Sequence, residues 1–200
     1  MKHTTLFFAF IFFTTIVFAQ TDFKGEVATA KTSYTSGKLE DAHFALQQAL
    51  GDLDIIIGKE VLKLLPTQLD SLNANTNSDN VTANVGFIGA TIHRDYGSPE
   101  KKAEIEIISN SPLLGTLNAF LNTPLIGGMM RDENNKTVKV QGYKARLEKQ
   151  DRGTDQKPTY VLNVPLNTAL VTFTVNGTTE SDMLNLANTI PLQQIAKLVQ

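Results

Sequence analysis

The sequence has 200 residues, with 18 Lys+Arg against 20 Asp+Glu, so its formal net charge at pH 7 is −2. Its 42% apolar and 19% charged residues are typical of a water-soluble globular protein and exclude collagen-like, low-complexity and strongly disordered classes. The near-neutral charge provides no concentration of Lys and Arg to replace phosphate counterions, which argues against nucleic acid as a partner. Because the chain has no cysteine, disulfides, thiolate nucleophiles and cysteine-ligated metals are excluded.

Residues 1–19 have the pattern of a secretory signal peptide. The basic start Met1-Lys2-His3 precedes an apolar run, and Val17 and Ala19 occupy the small-residue positions of a cleavage site before Gln20. The run is shorter than the ~20 residues that a membrane-spanning helix needs, so we expect no stable span once the signal is removed. Export without cysteines favours the bacterial envelope, with the mature chain periplasmic, envelope-associated or secreted.

Residues 20–70 show the pattern of a helical hairpin. Small and apolar residues recur at spacings of three and four, namely at Leu39, Ala42, Leu46, Ala49, Leu53 and Ile56. Gly37 is typical of the end of a first helix, because glycine readily adopts the left-handed conformation found there. Pro66 ends the second helix. Gly51 and Gly58 lie inside that helix and are expected to weaken it by up to ~1 kcal/mol each.

Six residues of this hairpin have a familiar spacing, namely Tyr34, Gly37, Leu39, Ala42, Ala49 and Leu50. They fall where a tetratricopeptide repeat has its aromatic, turn-glycine and packing residues, and the hairpin therefore resembles a single such repeat. No second copy follows, so the hairpin must pack on the rest of the chain or on a partner. An ordinary helical hairpin uses the same packing residues, and both interpretations remain open.

The polar residues 71–80 predict a linker, and the period of the apolar residues changes from helical to two beyond it. Strands are expected over 81–92, 103–107, 138–147 (with a bulge at Gln141-Gly142), 160–164 and 170–175, with a turn at 95–99, an apolar helix over 112–120 and two helices after Thr178. Short turns between most neighbouring strands favour antiparallel pairing. The prediction for 81–200 is thus a domain in which the sheet has its helices on one face. For the whole chain it is an α+β fold: an N-terminal α-hairpin followed by a mainly antiparallel sheet, in the order ββαβββαα.

Few residues of the mature chain are candidates for chemistry. Its two histidines, His43 and His93, are far apart in the sequence, so we expect no metal site and no cofactor. His93-Arg94-Asp95 is either an acid–base or anion site or a solvated hairpin end, and the second interpretation is favoured. Glu104 and Glu106 share one strand face, where they are either an acid–base pair or ordinary solvent-facing carboxylates, again with the second favoured. Motifs for nucleophilic serine and nucleotide binding are absent from the sequence, so we expect no catalytic residues and no enzyme.

The most apolar part of the mature chain is the segment 112–130. It is interpreted either as a helix and loop that cover the core or as a contact for a partner or lipid. Met129 and Met130 follow two glycines and are the residues we predict to bind a partner, because methionine adapts to varied surfaces.

Longer stretches, among them Ile105-Glu106-Ile107-Ile108-Ser109 and Ala187-Asn188-Thr189-Ile190-Pro191, resemble small uncharacterised exported proteins of Gram-negative bacteria. The resemblance implies export and brings no catalytic motif. We therefore expect a non-enzymatic envelope protein that binds a protein partner as an accessory module. The alternative is a periplasmic carrier of a small apolar or lipid ligand. A deep apolar pocket would favour the carrier, and a filled core with an exposed apolar patch would favour the binding module.

Overall fold

The computed structural model describes residues 22–84, 88–99, 101–122, 134–153 and 156–199. The helices described are α1 (Phe23–Thr35), α2 (Leu39–Leu64), α3 (Leu113–Asn122), α4 (Glu180–Ala187) and α5 (Leu192–Leu198). The strands described are β1 (Gln68–Leu69), β2 (Leu72–Asn73), β3 (Asn80–Asn84), β4 (Ile88–Gly97), β5 (Lys102–Ser109), β6 (Asn135–Val140), β7 (Tyr143–Gln150), β8 (Thr159–Pro165) and β9 (Ala169–Val175). The signal peptide predicted at 1–19 lies outside the described residues.

Seven strands form one antiparallel sheet in the order β3-β4-β5-β9-β8-β7-β6. It consists of two meanders, one from β3 to β5 and one from β6 to β9, which join where β5 pairs with β9. The alternation of buried Ala103, Ile105 and Ile107 with half-exposed polar neighbours on β5 gives the sheet one apolar and one polar face. The predicted α+β class, with its α-hairpin and mainly antiparallel sheet, is confirmed.

The main hydrophobic core lies between the apolar sheet face and the helices α2, α4 and α5. Val61 of α2, Phe173 of β9 and Ile195 of α5 are members of this one buried cluster. Gly58 lies so close to the sheet that a Cβ there would collide with the side chains of Val81 and Ile92. The second half of α2 is therefore seated directly on the first meander.

Helix α3 lies on the other face of the sheet, which differs from the expectation that all helices share one face. It contacts β7, β8 and β9, and the side chains beneath it include Arg146, Asn163 and Leu170. These three belong to the polar face, because their neighbours Leu147, Leu162 and Val171 are in the core. The physical reason is Leu170. Its side chain lies on the opposite face of β9 from the core residues and is nevertheless buried, because it provides an apolar surface on which α3 packs.

Three local predictions are wrong. Residues 81–92 do not form one strand, since Val81 pairs with Ile92 and Thr82 with Thr91 across the β3–β4 pair. Gln141-Gly142 is a turn and not a bulge: both residues have positive φ (49° and 90°), and Val140 pairs with Tyr143. Such a two-residue turn reverses the chain and interrupts the alternation of apolar and polar residues that the sequence shows over 138–147. The turn predicted at 95–99 begins later, because β4 continues to Gly97.

The polar segment 71–80 contacts the sheet along its length. The backbone N–H of Asn75 donates to Asp95 O at 2.8 Å, and its side-chain amide donates to Gly97 O at 3.0 Å. Asp79 forms an ion pair with Arg94, whose side chain is 7% exposed. The boundaries of the domains, 20–70, 71–80 and 81–200, stay a prediction, but this segment is joined to β4 by named bonds.

Candidate functional site

The helices α1 and α2 pack against each other through small side chains. Asp22 caps α1 by accepting the N–H of Gly25 at 3.0 Å, and Gly37 (φ +74°) reverses the chain. The contact buries four alanines, Ala30 of α1 and Ala42, Ala45 and Ala49 of α2. Alanine permits close approach of two helices but buries little apolar area, so the larger apolar side chains of the hairpin lie elsewhere.

Five of these larger side chains are exposed to solvent, by 42–69% of their surface: Val27, Tyr34, Leu39, Leu46 and Leu50. We call this set the hairpin face. Successive helical residues are about 100° apart, so each of these five residues lies roughly 40–110° from the alanines of the helix–helix contact, in the same rotational sense along the chain. Because α1 and α2 are antiparallel, equal rotations place both sets on the same side of the hairpin. The result is one apolar surface formed by two helices.

Charged residues of opposite sign border the hairpin face. Lys24 and Lys31 lie on the outer edge of α1, and Glu40 lies on the outer edge of α2. Asp54 lies further along α2, where it lines a small cavity with residues of β4, β5 and α5, among them Leu198. Partial burial raises the pKa of the Asp54 carboxyl. The face is thus basic along its α1 edge, and its α2 edge carries the acidic Glu40.

A second candidate is a charged cluster on the polar face of β4 and β5. Register places His93 opposite Glu106 and Asp95 opposite Glu104. Lys102 Nζ lies 2.9 Å from Asp95 Oδ1 and 3.2 Å from Glu104 Oε2. His93 Nε2 lies 3.3 Å from Asp95 Oδ1, and His93 Nδ1 lies 3.5 Å from Glu104 Oε1. The structure therefore brings together four of the five residues that the sequence offered, His93, Asp95, Glu104 and Glu106, and adds Lys102. The fifth, Arg94, lies on the opposite face of β4, where it pairs with Asp79.

The electrostatics of this cluster are those of a surface ion-pair network. Burial of Asp95 acts to raise its pKa, but the hydrogen bond from Lys102 and the charges of His93 and Lys102 outweigh it, so the pKa is lower than usual. The pKa of Lys102 is raised in turn, first by its bond to Asp95. Donor atoms of His93, Glu104 and Glu106 lie within 4.8 Å of one another, a spacing that could hold a cation. Lys102 already supplies positive charge between two of the carboxylates, which favours the solvated, ion-paired interpretation.

The third candidate is a groove of about 370 Å³ between α3 and the polar sheet face. It is lined by Leu113, Thr116, Leu117, Ala119, Phe120, Arg146, Asn163 and Leu170. The Arg146 guanidinium lies 5.4 Å from the centre of the Phe120 ring and also contacts Asn135 Oδ1 and Glu148 Oε2. The groove is mostly apolar, with one cation that already has partners.

The remaining predicted residues do not extend these sites. Met129 and Met130 lie outside the described residues, so their predicted role in partner binding stays a prediction. His43 is exposed on α2, where its Nε2 lies 3.1 Å from Gln47 Nε2. Sequence reasoning missed Val27 and placed Leu39 and Leu46 on one helix face together with Ala42 and Ala49. Residue size distinguishes the exposed residues from the buried ones, because the alanines lie in the α1–α2 contact and the larger side chains do not.

Comparison with known proteins finds no matching family model, no matching curated protein and no matching solved structure. Within the part of the chain that the structure describes, none of the helices combines the length and the apolar character needed to cross a membrane. The features that bear on function are therefore those of the chain's own surface.

Proposed function

We propose that this chain is a non-enzymatic, exported protein of the cell envelope that acts by protein–protein contact through the hairpin face. The observation that supports it is the exposure of the five large apolar side chains of that face, all on one side of a helical hairpin. Contiguous apolar patches on soluble proteins commonly mark interaction sites, because leaving them in water is unfavourable. Export rests on the predicted signal at residues 1–19.

The packing of the main core favours a binding module over a carrier. Large side chains such as Tyr96, Phe173 and Met183 are fully buried among their neighbours between the sheet and the helices. A carrier of an apolar ligand needs an enclosed apolar cavity. A filled core together with an exposed apolar surface is the combination expected of a binding module.

The groove beneath α3 supports the second candidate, a carrier of a small apolar ligand. Its lining from Leu113, Leu117 and Phe120 is apolar, and its volume suits a short hydrocarbon chain. Thr116→Phe would fill it from one wall. If the chain is a carrier, this variant should lose binding of a fluorescent fatty-acid probe that the unchanged protein binds.

The test of the main proposal is site-specific crosslinking in the native envelope. A photo-reactive side chain at position 46, within the hairpin face, is expected to yield a discrete crosslinked protein. The matched control is position 44, since Phe44 is 60% exposed but lies on the opposite side of α2. Equal crosslinking at both positions, or none at 46, would contradict the proposal.

A further inference from the structure

We infer that the partner seated on the hairpin face is a second copy of this chain. This inference rests on the proposed function and specifies which partner binds the hairpin face. Two hairpins that meet face to face form a four-helix bundle, in which the exposed residues of each copy become the core of the assembly. Closed two-fold dimers are the commonest soluble oligomers, and a two-fold contact requires a surface that is complementary to itself.

The charge distribution supplies this self-complementarity. A two-fold axis parallel to the helices places α1 of each copy over α2 of the other. The basic edge of α1, with Lys24 and Lys31, then lies beside the edge of the other copy's α2 that carries Glu40, and the same contact repeats on the other side of the bundle. Opposite charges at an interface edge steer association and fix its register.

The alternative two-fold arrangement is disfavoured by the same charges. An axis perpendicular to the helices and in the plane of the face places α1 over α1 and α2 over α2. Lys24 and Lys31 of both copies would then line one edge, and Glu40 of both copies would lie at the other. Like charges in such proximity repel. The charge pattern therefore selects the arrangement that pairs α1 with α2.

The apolar residues fit the same arrangement. Val27 and Tyr34 are seven residues apart, as are Leu39 and Leu46, and Leu50 follows at four. This is the spacing at which side chains of packed helices interdigitate along a seam. The contact would cover Leu46 and Leu50 from each copy, which in one copy alone are 51% and 62% exposed.

The experiment is sedimentation velocity on the chain from Gln20 to Gln200 over a range of concentrations. We expect a monomer–dimer equilibrium. Leu46→Glu with Leu50→Glu should raise the dissociation constant by about a hundredfold or more, because it places charges in the centre of the contact. Phe44→Ser, on the opposite side of α2, is the control and should leave association unchanged. Since all three side chains are exposed, the melting temperatures of the monomers should agree, which excludes misfolding as the cause.

A charge-exchange experiment tests the arrangement itself. One variant carries Lys24→Glu and Lys31→Glu, and the other carries Glu40→Lys. Each alone should associate more weakly than the unchanged chain, because like charges face each other along both edges. Their mixture should recover a heterodimer, since each edge again pairs opposite charges. Failure of the mixture to recover association would overturn this arrangement.

The outcomes separate the inference from the proposed function. A strictly monomeric chain whose position 46 still crosslinks to a different envelope protein would overturn self-association and leave the binding function standing. A monomer that crosslinks to nothing at position 46 would overturn both. A dimer that persists in the Leu46→Glu, Leu50→Glu variant would show that a different surface mediates self-association.

Discussion

At the scale of single residues, the Arg94–Asp79 pair joins the polar segment after α2 to strand β4. Arg94 Nε donates to Asp79 Oδ1 at 2.8 Å, and its Nη1 donates to Leu65 O at 3.2 Å. The hydrogen bond to Asp79 raises the pKa of Arg94 further, against the opposing effect of burial, so the guanidinium stays charged in this position. The carboxylate is therefore required where the sequence alone indicates a solvated linker.

Removing that carboxylate should destabilise the protein strongly. Asp79→Ala leaves the Arg94 guanidinium buried without its counter-charge, and such a loss costs about 3–5 kcal/mol. Urea unfolding measures the change in the free energy of unfolding. The matched control is Glu60→Ala, which breaks the Lys63–Glu60 pair (2.6 Å, side chains 69% and 50% exposed) and should change stability by less than about 1 kcal/mol. Equal effects of the two substitutions would contradict the structural role of Asp79.

Tyr96 makes the stability of the folded protein depend on pH in the alkaline range. The side chain is fully buried, its hydroxyl donates to Pro66 O at 3.0 Å, and burial raises its pKa to about 12. Folding therefore favours the neutral phenol. This preference contributes to the free energy of unfolding at pH values below about 10, the pKa of tyrosine in the unfolded chain. The contribution is lost as the pH rises from about 10 through about 12.

The expected result is a steeper loss of stability between pH 10 and about 12 in the unchanged protein than in Tyr96→Phe. At neutral pH the variant should be less stable by about 1 kcal/mol, because it loses one hydrogen bond. Chemical unfolding at a series of pH values measures both effects, and phenolate absorbance identifies the titrating tyrosine. Parallel curves for the two proteins above pH 10 would contradict this account of Tyr96.

At the scale of elements, two helical glycines that look equivalent in the sequence have opposite roles. Gly58 lies where α2 meets the sheet, so Gly58→Ala forces Val81 and Ile92 to move and should cost about 1–3 kcal/mol despite the better helix propensity of alanine. A Cβ added at Gly115 of α3 would meet no atom of the described residues within 4 Å, so Gly115→Ala should stabilise by up to about 1 kcal/mol. Thermal unfolding of both variants is the measurement. A stabilised Gly58→Ala variant would show that α2 is not seated closely on β3 and β4.

The elements that the sequence predicts correctly are those that depend on local periodicity. The helical hairpin and most strands are of this kind, which is why Leu39–Leu64 and Lys102–Ser109 agree with the expected patterns. The prediction at Gln141-Gly142 is wrong because a bulge and a two-residue turn both interrupt alternation, and only the Val140–Tyr143 pairing distinguishes them. The charged cluster depends on the register of the β4–β5 hairpin, which the alternation within each strand does not determine. The side of the sheet that α3 covers depends on pairing between strands distant in sequence, such as β5 with β9, which local patterns do not contain.

At the scale of the whole molecule, the second half of α2 and the sheet share one core. Val61 and Leu65 belong to the same buried cluster as Ile92, Tyr96 and Phe173. Residues of the predicted hairpin unit and of the predicted α+β unit therefore bury their apolar area against each other. By contrast, α1 packs chiefly on α2, through a contact whose buried residues are alanines. Stability is thus concentrated in the sheet and the second half of α2.

This distribution predicts a graded pattern of hydrogen exchange. Amides at the centre of β5 and β9, which pair with each other and with further strands on their other sides, should exchange only on global unfolding. Amides of α1 should exchange fastest among the helices, because separating α1 from α2 exposes little apolar surface. Association through the hairpin face should slow exchange in α1 and in the first half of α2 as protein concentration rises, while β5 and β9 stay unchanged. If α1 were protected as strongly as β5 in the Leu46→Glu, Leu50→Glu variant, the hairpin would have to be stabilised by contacts beyond its alanine packing on α2.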